Sequence, residues 1–165
     1  SHDLDKIRLG ETAMKPILHT LSAAIFAVGI GAAMAGPAAA EMSAAMQRQA
    51  AMKAIGGHMK ALGAVAKRKA AYSVAIPVHA QAIHDAALTM GLLFPDGSGG
   101  AGTRAKPEIW TDAAGFSAKI DALAAVTPTL VAAAKTGDAG AIGGALKIVG
   151  KYCGGCHKPY RVPKK

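Results

Sequence analysis

From Met42 to Ala66 one set of side chains recurs at steps of three or four: Met42, Met46, Gln49, Met52, Ile55, Met59, Leu62 and Ala66. That period lines up a single face of a helix and is incompatible with the two-residue alternation of a half-buried strand. The same spacing returns three more times. It predicts helices over 42–69; from Ile76-Pro77 through Ala80, Ile83, Ala87, Met90 and Phe94; from Ile109-Trp110 through Ala113, Phe116, Ile120, Leu123, Val126 and Leu130; and from Asp138 through Ile142, Leu146, Val149 and Tyr152. Pro77 suits a first helical turn, and Asp138 is a good N-cap after the connector Thr136-Gly137. Pro128 is expected to kink the third helix or end its regular part. Residues 94–107, "FPDGSGGAGTRAKP", break all periodicity and read as a surface loop. With no competing strand pattern, internal repeat or second domain, the expectation is an all-α, up-down-up-down antiparallel four-helix bundle.

Composition sharpens this. Hydrophobic residues make up 52% of the chain but aromatic ones only 4%, so alanine supplies much of the apolar share. Alanine favours helix and buries little area. Helices built this way approach closely, and their core has room for something large and apolar. The formal net charge of +9 arises downstream of residue 40, because Lys6, Arg8 and Lys15 balance Asp3, Asp5 and Glu11 before it. Such a charge suits acidic partners or anionic membrane surfaces; nucleic acid is the weakest reading once export is considered.

Export is expected from "MKPILHTLSAAIFAVGIGAAMAGPAAAE". A lysine follows Met14, an apolar stretch runs from about Leu21 to Ala35, and small residues end at Ala40. This is the layout of a secretory signal cleaved after Ala40. Residues 1–13 are read as an upstream extension, 14–40 as signal peptide, and 41–165 as the folded domain, exported to the periplasm. If the segment were retained, its short, glycine-interrupted apolar centre would act as a membrane tether instead.

Both cysteines lie near the C-terminus in Cys153-Gly-Gly-Cys156-His157. C-x-x-C-H is the pattern of covalent haem attachment. Two thiols about one helical turn apart can add to vinyl groups on the same porphyrin edge, and the next histidine is carried beneath the iron as proximal ligand. A redox-active C-x-x-C belongs in a strand-then-helix context. A zinc site would need a further ligand, and a structural disulfide would not need His157.

A C-x-x-C-H motif on the last helix of a four-helix bundle, followed by Tyr160-Arg161, resembles the class II c-type cytochromes, the cytochrome c′ family. The likeness spans Glu41 to Arg161 and includes "FPDGSG", "KPEIW" and "AAKTGD". It implies one haem c, held by Cys153 and Cys156 with His157 on the iron. It also implies that the first helix crosses the opposite haem face, with an arginine followed four residues later by the side chain over the iron. Those positions hold Arg48 and Met52. The resemblance therefore points to Arg48 and Arg161 near the haem propionates and to Met52 as sixth ligand, although Met59 lies on the same stripe and methionine is also ordinary core filler. His58, His79 and His84 are expected off the haem, and Trp110 is expected to be a packing anchor. Lys53, Lys60, Lys67, Arg68 and Lys69 form a solvated face or a docking surface for an acidic redox partner. Met52 ligation makes the chain a six-coordinate, low-spin electron carrier with redox protein partners, possible homodimerisation and no enzymatic step. The alternative is a five-coordinate cytochrome c′ that binds NO or CO, with Met52 lining the pocket.

Overall fold

The structure is a computed structural model and describes residues 43–163. The expected upstream extension and signal segment lie outside the described residues. Helix α1 spans Ala44–Ala66, α2 Ala75–Thr89, α3 Glu108–Thr111, α4 Ala113–Thr136 and α5 Ala139–Tyr160, and a 3₁₀ turn over Met90–Leu93 continues α2. The four long helices close into a ring in which α1 and α4 each pack against both α2 and α5. Among the described residues no strand forms; an isolated bridge joins Ala105 to Arg161.

Helix ends follow local chemistry. The Ser43 hydroxyl accepts a hydrogen bond from the Met46 N–H at the start of α1, and the Asp138 carboxylate accepts one from Ala141 at the start of α5. These satisfy backbone donors that a helix leaves unpaired at its first turn. Gly137, at φ 73°, closes α4 in the left-handed conformation that glycine adopts without strain.

The main core draws Leu62 and Val65 from α1, Ile76, Ala80 and Ile83 from α2, Leu130, Val131 and Ala134 from α4, and Ile142, Ala145 and Val149 from α5. Leu62, Leu130, Ile142 and Val149 are fully buried, each stabilising the fold by about 1.5–3 kcal/mol. A second cluster lies apart from this aliphatic one. There Ile109, Phe116 and Tyr160 are buried, with Phe94, Ala105, Trp110, Ile120 and Cys156 packed against them.

Three sequence expectations need correction. The helix expected to run unbroken through residues 109–130 divides at Asp112 (φ −119°, ψ 54°). That residue ends α3 and caps α4, its carboxylate accepting from the Gly115 N–H at 3.1 Å. A Cβ at Gly115 would press on this carboxylate, so a larger residue there would have to displace the Asp112 side chain. Pro128 neither ends α4 nor marks its boundary, since the helix continues to Thr136. Proline leaves the carbonyl four residues earlier without its N–H donor, and the Thr127 hydroxyl donates to that carbonyl, Ala124 O, at 3.0 Å. Met46, on the expected inward stripe, is 56% exposed, whereas Arg48 is 5% exposed. At its N-terminal end α1 turns a different face inward, because it lines a cavity rather than the aliphatic core.

Candidate haem site

A cavity of about 690 Å³ opens between α1 and the end of α5. Ala45, Arg48, Gln49, Met52 and Lys53 line it from α1, a spacing of three and four that marks one helix face. Cys156, His157 and Tyr160 line it from α5, and Arg161 from the segment just beyond. Met90, Phe94, Ile109 and Phe116 supply apolar walls. Five of the six expected site residues thus share one cavity. The sixth, Cys153, lies one turn earlier on α5 and packs against the main core. Met59 also packs against that core, away from the cavity lining.

Four aromatic residues gather at this end: Phe94 meets Phe116 edge-on at 4.8 Å between centroids, Phe116 meets Tyr160 at 5.1 Å, and Trp110 packs beside them. The Tyr160 hydroxyl donates to Asp112 Oδ2 at 2.6 Å. That hydrogen bond, reinforced by burial and the carboxylate charge, pushes the Tyr160 pKa up to about 12. The Trp110 indole N–H donates to Pro95 O at 3.1 Å, which makes it the expected packing anchor.

Arg48 is engaged differently from a residue that only faces the cavity. Its Nη1 donates to Leu93 O at 3.0 Å and Ser98 Oγ at 2.8 Å. Its Nη2 donates to Ser98 O at 2.7 Å and Thr103 Oγ1 at 3.4 Å. The guanidinium also lies 5.0 Å over the Phe94 ring, a cation–π contact. Arg48 therefore latches the 94–107 loop over the cavity mouth. Burial lowers its pKa, yet a guanidinium stays charged at any physiological pH. The loop is also stitched to the end of α5: Lys106 N donates to Tyr160 O at 3.0 Å and Val162 N to Arg104 O at 2.8 Å. Sequence reading missed Arg104, Thr103 and Ser98, whose partners lie dozens of residues away. The scarcity of aromatic residues was the available signal, since so few large rings would be expected to collect where a large apolar group is held.

The donor chemistry fits a haem. Burial pushes both cysteine thiols up, and the neighbouring Cys153 adds to the rise at Cys156. A redox-active C-x-x-C needs the opposite shift. Among the described residues no group of three or more His, Cys, Asp or Glu side chains is placed to hold a metal ion. Burial, then Arg161 and Arg104, hold the His157 pKa below the ordinary imidazole value, favouring the neutral ring that can ligate iron. The cavity volume lies within the range of sites that enclose a cofactor-sized ligand.

An apolar cavity between helices that carries one thiol and the adjacent imidazole, with the second thiol one turn earlier on the same helix, defines an all-α c-type haem protein. A family model described as "Cytochrome C'" matches residues 43–161; the chain belongs to the cytochrome c′ family and carries one covalent haem c, attached through Cys153 and Cys156. Cytochrome c′ of Pararhodospirillum photometricum is 37% identical over 115 residues, covering 69% of this chain and 92% of that protein. A nitric oxide complex of a cytochrome c prime variant from Alcaligenes xylosoxidans superposes with a TM-score of 0.66 at 33% identity, covering 73% and 94% of the two chains. A carbon monoxide-bound variant of that protein gives 0.65 at 32% identity, with the same coverage.

These comparisons overturn the expectation of a six-coordinate His157/Met52 electron carrier. The family model and the relative named above are cytochromes c′, and solved cytochromes c prime among the matches hold nitric oxide or carbon monoxide. A gas ligand needs an iron position that a methionine sulfur would occupy. Met52 is a half-buried residue of the cavity wall.

Proposed function

We propose that this chain is an exported, non-enzymatic cytochrome c′ that binds nitric oxide or carbon monoxide, its four long helices forming an up-down-up-down bundle. The observation that carries this reading is the likeness to gas-bound cytochromes c prime across nearly the whole described domain. When bound, the haem would supply an iron able to take one small diatomic ligand. Cys153 and Cys156 fix the cofactor on α5, and His157, kept neutral by burial and two arginines, offers its ring nitrogen from the same helix.

Met52 faces the cavity from the opposite helix and limits the space open to an incoming gas. Phe94, Phe116, Ile109 and Met90 exclude water from the walls, a setting that favours an uncharged guest. Arg161 and Arg104 stand at the His157 end of the cavity and suit the haem propionates. The Nη nitrogens of Arg48 instead hold the loop.

The decisive experiment is an absorption spectrum of the ferrous protein before and after carbon monoxide. A five-coordinate starting spectrum that converts on adding the gas is expected. A ferrous spectrum already six-coordinate, and indifferent to carbon monoxide, would refute the reading.

A further inference from the structure

Away from the haem cavity, two imidazoles meet across the α1–α2 interface. His58 on α1 and His79 in the first turns of α2 place their Nδ1 atoms 2.9 Å apart. Their ring centroids are 5.1 Å apart and the planes are tilted by 46°. Both residues are half-buried, so water reaches them. The contact needs a hydrogen on one Nδ1 and a lone pair on the other, so at least one ring is neutral. Neither residue lines the haem cavity.

We propose that His58 and His79 form a two-imidazole site for a divalent transition-metal ion, with copper(II) its preferred occupant. Imidazole nitrogens suit copper, nickel and zinc, and among divalent first-row ions copper binds such donors most tightly. Geometry points the same way. With metal–nitrogen bonds of about 2.0–2.1 Å, nitrogens at this separation subtend about 90° at the metal. That is the angle between adjacent ligands of a square-planar or tetragonal copper site. A tetrahedral zinc site would want the same nitrogens roughly 3.4 Å apart.

For the ion to enter, the donor ring transfers its proton from Nδ1 to Nε2 through water and both rings turn, so that the Nδ1 lone pairs now aligned along the hydrogen bond converge on the metal; no oxidation state changes. Water completes the coordination, since no third His, Cys, Asp or Glu side chain joins the pair among the described residues. His84, also on α2, is a natural control. Its Nδ1 lies 2.8 Å from Thr127 Oγ1, and that hydroxyl already donates to Ala124 O, so His84 donates and its Nδ1 offers no lone pair.

The test uses the full chain with ferric haem, which cannot reduce copper(II), titrated with copper(II) chloride alone. Wild type should bind one equivalent more than His58→Gln or His79→Gln, or bind that equivalent at least about tenfold more tightly, because the second imidazole of a chelate closes intramolecularly. His84→Gln should bind like wild type. The copper electron paramagnetic resonance spectrum of wild type should show hyperfine coupling to two imidazole nitrogens, a readout that needs no variant to fold. Coupling to one nitrogen, equal binding by wild type and His58→Gln, or an equal loss in His84→Gln would each overturn the proposal.

Discussion

Met52 shows how a residue can occupy the expected place without the expected task. It lies four residues after Arg48 on the cavity face of α1, but so do its neighbours on that stripe, and periodicity does not distinguish a ligand from a wall. If it is wall, Met52→Ala should leave the ferrous spectrum five-coordinate while speeding carbon monoxide association several-fold, measured by stopped-flow mixing. Conversion from six- to five-coordinate in that variant would instead reinstate the sulfur on the iron. Tyr160 supports a second test at this scale. Its pKa rises from 10.0 to about 12, chiefly because its hydroxyl donates to Asp112. A group that binds its proton more tightly when folded contributes stability fully present below pH 10.0, then lost as pH climbs toward about 12. The difference in ultraviolet titration between wild type and Tyr160→Phe should therefore show one tyrosinate forming near pH 12. An ordinary midpoint for that residue would mean the Asp112 hydrogen bond is absent in solution.

The helices themselves were largely legible, because a four-three repeat is a local property and survives whatever the helix packs against. Asp138, too, was readable as a cap from its place after Thr136-Gly137. Asp112 was not. The apolar positions run through it without a change of period, and its side chain is held by Tyr160, 48 residues away. Of the two outcomes expected at Pro128, ending the helix does not occur, and a neighbouring threonine hydroxyl replaces the donor that proline removes. In the site, Cys153, Cys156 and His157 announce themselves by spacing alone, whereas the Arg48 latch joins residues 45 to 55 positions apart. The two aspartate caps can be set against each other. Asp138→Ala removes a cap and should cost about 0.5–2 kcal/mol in denaturant unfolding. Asp112→Ala removes a cap and also the partner of a buried tyrosine, so it should cost more. Equal losses would show that the Tyr160 hydrogen bond adds nothing to the element boundary.

Across the whole molecule the two clusters divide the work. The aliphatic core joins all four long helices, while the aromatic cluster and the cavity are bounded by α1's first turns, the 3₁₀ turn and the 94–107 loop after it, α3, the start of α4 and the end of α5. Without a haem, the apolar walls Met90, Phe94, Ile109 and Phe116 around this opening of about 690 Å³ lose their packing partners on one side. A chain denied its haem must therefore admit water at that end or let the walls collapse. The aliphatic core draws on none of the cavity-lining residues and has no such void to lose. Replacing both cysteines with serine should then yield a partly ordered protein rather than an unfolded one. Hydrogen exchange should stay slow around Leu62, Ile83, Leu130 and Ile142, and become fast in residues 44–53 and 94–112. Arg48→Ala in the haem-loaded protein should loosen the same loop alone, because it removes four hydrogen bonds to residues 93–103 and leaves the cofactor in place. Uniform loss of protection across all four helices of the serine variant would show one cooperative unit that the haem holds together throughout.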